Sequence, residues 1–164
     1  MTGPQDGVSD DYVRIREQVL GLTAETLTAK QLAGVDLRPG DVLAAMMEFP
    51  LSTSVVSLVC VVDDTVSLYF STGRCMTGLG EHEQVALAAT GFLIEATAAS
   101  DALESVDAVP LPGPGDVRLT LVTSEQRLSA VVPRDVLAAD IEHPLAKFEG
   151  AGQNVLTAIR EATT

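Results

Sequence analysis

One segment near the middle of the chain is apolar on both of its faces, and it has the length of a β-strand. Within residues 54–62, one face carries Val56, Leu58, Cys60 and Val62, and the other carries Val55, Val59 and Val61. Side chains of a strand alternate between the two faces of the sheet, so a strand that is apolar on both faces must be covered on both. We therefore expect a central strand in a sheet that has another layer of structure on each side.

Four further segments alternate in the same way and predict the rest of the sheet. Residues 42–49 and 66–70 flank the central segment and are separated from it by turn residues at Pro50 and at Asp63 and Asp64. Together these three segments predict an antiparallel meander. Residues 117–122 and 128–132 predict a second hairpin, which brings the expected sheet to five strands. Glu48 alternates with Met47 and is expected to face solvent.

Helical periodicity fills the spaces between these strands. Apolar residues at steps of three and four predict a first helix from Asp10 or Asp11 to Leu22, a second over residues 24–33, a long one over 81–103, a short helical turn through Ala139 and a last one over 144–162. The order predicts a single α+β domain over residues 10–164, in which helices pack on a five-stranded antiparallel sheet made of a meander and a C-terminal hairpin. Residues 1–9 lack periodicity and are expected to be disordered.

This element order resembles that of profilin-like and roadblock-type domains. Residues 67–82 and 143–154 also resemble segments of a bacterial family to which no activity is attached. The first resemblance implies a sheet with helices packed on it. Neither resemblance implies a substrate, a cofactor or a site residue.

Charge and composition narrow the classes of partner. The formal net charge is −13, from 23 acidic and 10 basic residues, which opposes binding to nucleic acid and to anionic membranes. Aromatic residues are 4% of the chain and tryptophan is absent, so a platform for stacking bases is not expected. The sequence shows no secretory signal and no apolar run of 18 residues, which predicts a cytoplasmic protein that does not span a membrane.

The glycine-rich turn over residues 71–82 is the candidate ligand site. It joins a predicted strand to the long helix, and its candidate ligand-binding residues are Gly73, Arg74, Cys75, Gly78, Gly80 and His82. A helix N-terminus favours anions, and Arg74 adds a positive charge. The turn does not match a nucleotide-binding loop, because Leu79 and Gly80 stand where lysine and a hydroxyl residue are required. A structural explanation is also open, since glycines permit positive φ angles.

Catalysis and metal binding have weaker support at the same turn. Cys75 and His82 are a possible nucleophile and base, but no third residue in the pattern would orient the imidazole. A metal site would need His82 and His143 together with Cys75, Glu81 or Glu83, and two histidines are few for a zinc site. We therefore expect no catalytic residue, no metal and no cofactor, and enzymatic activity is not favoured.

The long helix carries a second apolar stripe, which consists of Leu87, Gly91 and Ile94. A helix that is apolar on two faces must bury both, one of them against another helix or another subunit. The leading hypothesis is therefore a non-enzymatic interaction domain that forms a homodimer through this helix or through an edge strand and that can bind a protein partner. The alternative is a module that binds a small anion, or an enzyme, centred on residues 71–82.

Overall fold

A seven-stranded antiparallel sheet organises the molecule, whose computed structural model describes residues 8–30 and 40–163. The strands are β1 (Val42–Pro50), β2 (Val55–Val61), β3 (Val66–Phe70), β4 (Cys75–Met76), β5 (Glu104–Val106), β6 (Asp116–Thr123) and β7 (Arg127–Pro133). The helices are α1 (Asp10–Leu20), α2 (Ala24–Lys30), α3 (Glu83–Ala98), α4 (Arg134–Ala139) and α5 (Ala146–Ala162). Two short 3₁₀ turns, Leu79–Glu81 and Ser100–Ala102, flank α3. The α+β class and the single domain are confirmed.

The number of strands was underestimated by the sequence. The spatial order is β4, β3, β2, β1, β6, β7, β5, and the five predicted strands form its centre. The two additional strands lie at the edges and contain only two and three residues. Segments this short show no alternation, and Cys75–Met76 lies in a turn whose glycines indicate a loop. The prediction of five strands is therefore wrong at both edges of the sheet.

One face of the sheet packs against α3 and α5 and forms an apolar core. The rings of Phe92 in α3 and Phe148 in α5 lie 5.3 Å apart between their centroids. A Cβ atom on Gly152 would lie 2.6 Å from the Sδ of Met47, so only glycine lets α5 approach the sheet this closely. As predicted, β2 is buried along its entire length. Its even-numbered residues Val56, Leu58 and Cys60 belong to this core.

The opposite face of the sheet is covered by α1 and α2. Val19, Leu20 and Leu27 from these helices pack on a second, smaller group of apolar residues. Ser9 begins α1 as its N-cap, where its hydroxyl accepts a hydrogen bond from the Asp11 amide at 3.1 Å. The predicted extension of α2 to residue 33 lies outside the described residues, as does most of the N-terminal segment that was expected to be disordered.

The prediction that Glu48 faces solvent is wrong. Glu48 does alternate with Met47, but α1 covers its face of the sheet, and its exposed fraction is 0%. The expectation of a solvent-facing carboxylate was therefore wrong, because alternation identifies the face and not what covers it. Within the part of the chain that the structure describes, no helix has the length and apolar character needed to cross a membrane.

Candidate functional site

The glycine-rich turn forms a tight hairpin between β3 and β4 and then leads into α3. The amide of Gly73 donates to the carbonyl of Phe70 at 2.8 Å, and the amide of Phe70 donates to the carbonyl of Arg74 at 2.9 Å. Gly73 has a φ of 102° and Gly78 has a φ of 70°, conformations that residues with a Cβ rarely adopt. The backbone path of the turn accounts for both glycines.

Gly80 has a different structural reason. A Cβ atom at this position would overlap the carbonyl oxygen of Asp64, which lies in the turn between β2 and β3. Asp64 itself has a φ of 72°, so this neighbouring turn is already constrained. The approach of two backbone segments therefore requires glycine at position 80.

The side chains of Arg74, Cys75 and His82 in the turn are exposed. Arg74 lies over the ring of Phe70, with 5.6 Å between the guanidinium carbon and the ring centroid. Cys75 is exposed, and His82 is an exposed N-cap of α3 whose side chain makes no capping hydrogen bond. Among residues 8–30 and 40–163, no group of three potential metal ligands is found. The suggested anion site at Gly73, Arg74, Cys75, Gly78, Gly80 and His82 remains a prediction.

The second stripe of α3 points away from the molecule. Leu87 is 69% exposed and Ile94 is 61% exposed, whereas Val85, Phe92 and Ala96 of the same helix are buried. A Cβ atom on Gly91 would meet no atom within 4 Å. We call Leu87, Thr90, Gly91 and Ile94 the outer face of α3.

A buried polar cluster lies beneath α1, and the sequence did not predict it. Arg16 donates from Nε to Oε2 of Glu48 at 2.7 Å and from Nη2 to Oε1 at 2.8 Å, which makes a bidentate ion pair. Ser57 donates to Oε2 of Glu48 at 2.6 Å. Since the Ser57 proton is used in this bond, the 2.7 Å contact with Tyr12 is a hydrogen bond donated by the Tyr12 hydroxyl.

Tyr12 and Arg16 in this cluster, and the neighbouring Arg118, have shifted pKa values. Burial, and secondly the charge of Glu48, raises the pKa of Tyr12 to about 12. Burial alone would lower the pKa of Arg16, but the hydrogen bonds and charge of Glu48 outweigh it and raise that pKa. Arg118 is the cross-strand neighbour of Glu48, and burial lowers its pKa despite the carboxylate. The cluster therefore holds α1 on the sheet as neutral Tyr12 and an ionised pair.

A signal for this cluster existed in the sequence. Arg16 follows Tyr12 by four residues, so it lies on the same stripe of α1 as Tyr12 and Val19. A cation on the inward stripe of a helix and an acid within an apolar strand are candidates for a buried pair. The pairing of Arg16 with Glu48 depends on how α1 packs on the sheet, and the local sequence pattern does not specify that packing.

Comparison with protein-family models, curated proteins and solved structures gives no match for this chain. The resemblance to profilin-like and roadblock-type domains, and that of residues 67–82 and 143–154 to a bacterial family, therefore remain predictions.

Proposed function

We propose that this chain is a non-enzymatic interaction domain that self-associates through the outer face of α3. The observation that carries the proposal is the exposure of Leu87 and Ile94 on a helix whose opposite side is already buried in the core. Helices with apolar residues on two sides are normally covered on both, either by their own chain or by a partner. The partner proposed for this face is a second copy of the same chain.

The distribution of charge along α3 supports a second copy of the chain as the partner. Only Glu83 and Glu95 are charged within α3, and Glu83, one turn before Leu87, lies at the N-terminal end of the outer face. The exposed residues of α5 differ, since Lys147, Asn154 and Arg160 are polar or charged. In a chain with a net charge of −13, two copies repel each other over most approaches. The part of the outer face from Leu87 to Ile94 carries no charge, so two copies can meet there without burying like charges.

Gly91 supports a close approach at the centre of this face. Glycine in a helix interior costs roughly 1 kcal/mol relative to alanine. Gly152 of α5 is explained by its neighbours Met47 and Phe92. In contrast, no described residue would exclude a Cβ at Gly91 or at Gly150 of α5, and of these two only Gly91 lies between exposed apolar side chains. A helix of a second copy crossing at Gly91 would explain the glycine, with Leu87 and Ile94 packing on either side of the crossing.

The edges of the sheet are less suitable for association. Pairing of two sheets through their edges needs a strand with a row of free backbone groups. The edge strands β4 and β5 contain two and three residues, respectively. An interface through α3 is therefore favoured over one through an edge strand.

The mass of the purified protein in solution tests the proposal. Multi-angle light scattering over a series of concentrations should give a dimer for the natural chain. Replacing both Leu87→Glu and Ile94→Glu should give a monomer, because four glutamates would be buried across the two-fold interface. The matched control is Val136→Glu with Ile141→Glu, which places the same charges at exposed apolar residues outside α3 and should leave the dimer intact. A natural chain that is monomeric at high concentration, or an unchanged mass in the α3 variant, would refute it.

A further inference from the structure

A cavity of about 190 Å³ lies on the other face of the sheet, between α1, α2 and strands β2 and β3. Its walls are mainly aliphatic and include Ile15, Val19, Leu27, Val59 and Val61. Polar side chains stand around its opening, among them Gln18, Thr26 and Thr65, all of which are exposed. An apolar interior with a few polar groups at the opening is the usual form of a small-molecule site.

A buried hydroxyl without a partner lies beside this cavity. Ser67 pairs with Val59 across the two strands, and its position in β3 is between Thr65 and Tyr69, all on the same face. Val59, Thr65 and Tyr69 all line the cavity. The Ser67 side chain is 1% exposed, and its Oγ forms no hydrogen bond to any described residue. Such a group normally has a partner, so the polar groups next to the cavity are not all satisfied by the described residues.

The carboxylate of Asp63 at the cavity favours a ligand with a positive charge. Asp63 lines the cavity, and its Oδ1 accepts a hydrogen bond from the Thr65 amide at 3.0 Å, which fixes the carboxylate in place. Arg14 lines an adjoining hollow and is ion-paired with Asp11 at 3.0 Å. No lysine or arginine is among the described residues that line the cavity, so an anionic ligand would meet Asp63 there without a compensating cation, whereas a cation would be attracted to it.

We propose that this cavity binds a small primary amine, with its apolar body between α1 and β2 and its ammonium group at Asp63. The size is suitable, because a cavity of about 150 Å³ lined by aliphatic residues can hold benzene. The cavity therefore accommodates a six-membered ring with a one-carbon arm. This site is on the face of the sheet opposite to α3, so it does not depend on the proposed self-association.

Three probes share a benzene ring with a one-carbon arm and carry a positive, neutral or negative polar group on it: benzylamine, benzyl alcohol and benzoate. Binding is followed by the methyl resonances of Ile15, Leu27 and Val59, with Leu119, on the other face of the sheet, as an internal reference. Benzylamine should shift the cavity methyls in a saturable way and leave Leu119 unchanged. Benzyl alcohol should bind more weakly, and benzoate should bind least.

Two matched variants assign the charge preference to one carboxylate. Asp63→Asn keeps the oxygen that accepts from Thr65 and should weaken benzylamine about three- to fivefold, as expected for a partly exposed ion pair, while benzyl alcohol is unaffected. Asp64→Asn makes the same charge change one residue away and should leave both unchanged. The proposal is overturned if benzylamine produces no saturable shift, if benzoate binds equally well, or if the two variants behave alike.

Discussion

At the scale of single residues, Glu48 has the most demanding environment in the described part of the chain. Its side chain is 0% exposed, and its two oxygens accept one hydrogen bond from Ser57 and two from Arg16. A carboxylate is tolerated at this depth only when such partners replace its water. The partners come from β2 and α1, so this one residue connects the N-terminal helix to the sheet.

Removing one member of the pair should be costly. Glu48→Ala leaves the Arg16 guanidinium buried without a counter-charge, and we expect the free energy of unfolding to fall by about 3–5 kcal/mol. Urea unfolding measures the change. The control is Arg14→Ala, whose ion pair with Asp11 is largely exposed and should contribute less than about 1 kcal/mol. Equal losses in the two variants would contradict the importance assigned to the buried pair.

Tyr12 gives the cluster a dependence on alkaline pH. Its pKa is raised to about 12, above the ordinary value near 10. Between these values the unfolded chain loses the phenolic proton while the folded chain keeps it, so stability present below pH 10 falls as pH rises towards 12. Urea unfolding of the natural chain should therefore lose stability faster over this range than Tyr12→Phe. If the stability of the two proteins changed with pH in parallel, Tyr12 would not be the source of this dependence.

At the scale of elements, α3 and α5 lie on the same face of the sheet but differ on their outer sides. The helix α3 contains one interior glycine, Gly91, and α5 contains two, Gly150 and Gly152. Gly152 lies against Met47 and Phe92, whereas a Cβ at Gly91 would meet no described atom. Gly91 and Gly152 therefore have opposite structural environments, which substitution can separate.

Gly91→Ala should affect folding and association in opposite directions. In the monomer, the added methyl meets no atom and improves helix propensity, so stability should rise by up to about 1 kcal/mol. In the dimer, the methyl would hold the crossing helices apart, and the dissociation constant should rise. Urea unfolding at low concentration and sedimentation velocity measure the two effects. Gly152→Ala, the control, should destabilise the monomer, and an unchanged dissociation constant for Gly91→Ala would exclude a crossing at that residue.

These elements also show how far the sequence determines the fold. The five central strands were predictable because each has five or more residues and alternates clearly. The strands β4 and β5 were not predictable, because they have no alternating pattern of their own. They form by pairing with the longer strands β3 and β7. Periodicity separated the two stripes of α3 and identified Leu87, Gly91 and Ile94. The ion pair of Arg16 and Glu48 joins residues 32 positions apart and needs the docked helix to be seen.

At the scale of the whole molecule, the three layers keep the candidate surfaces apart. The sheet separates the cavity beneath α1 from the outer face of α3. The net charge of −13 acts on both, since it attracts a cationic ligand and opposes the meeting of two copies. Ionic strength should therefore change the two proposed binding events in opposite directions.

The salt dependence of self-association is the sharpest expectation at this scale. Raising NaCl from about 20 mM to about 500 mM shortens the screening length from about 20 Å to about 4 Å, which weakens repulsion between two acidic copies. The helix α3 carries no cation, and its outer face is uncharged from Leu87 to Ile94, so contact between two such faces forms no ion pairs for salt to weaken. The dimer dissociation constant, measured by sedimentation velocity, should fall several-fold at high salt, and the Leu87→Glu, Ile94→Glu variant should remain monomeric in both buffers. A dissociation constant that rises with salt would show an interface held by charges, and such an interface cannot be the outer face of α3.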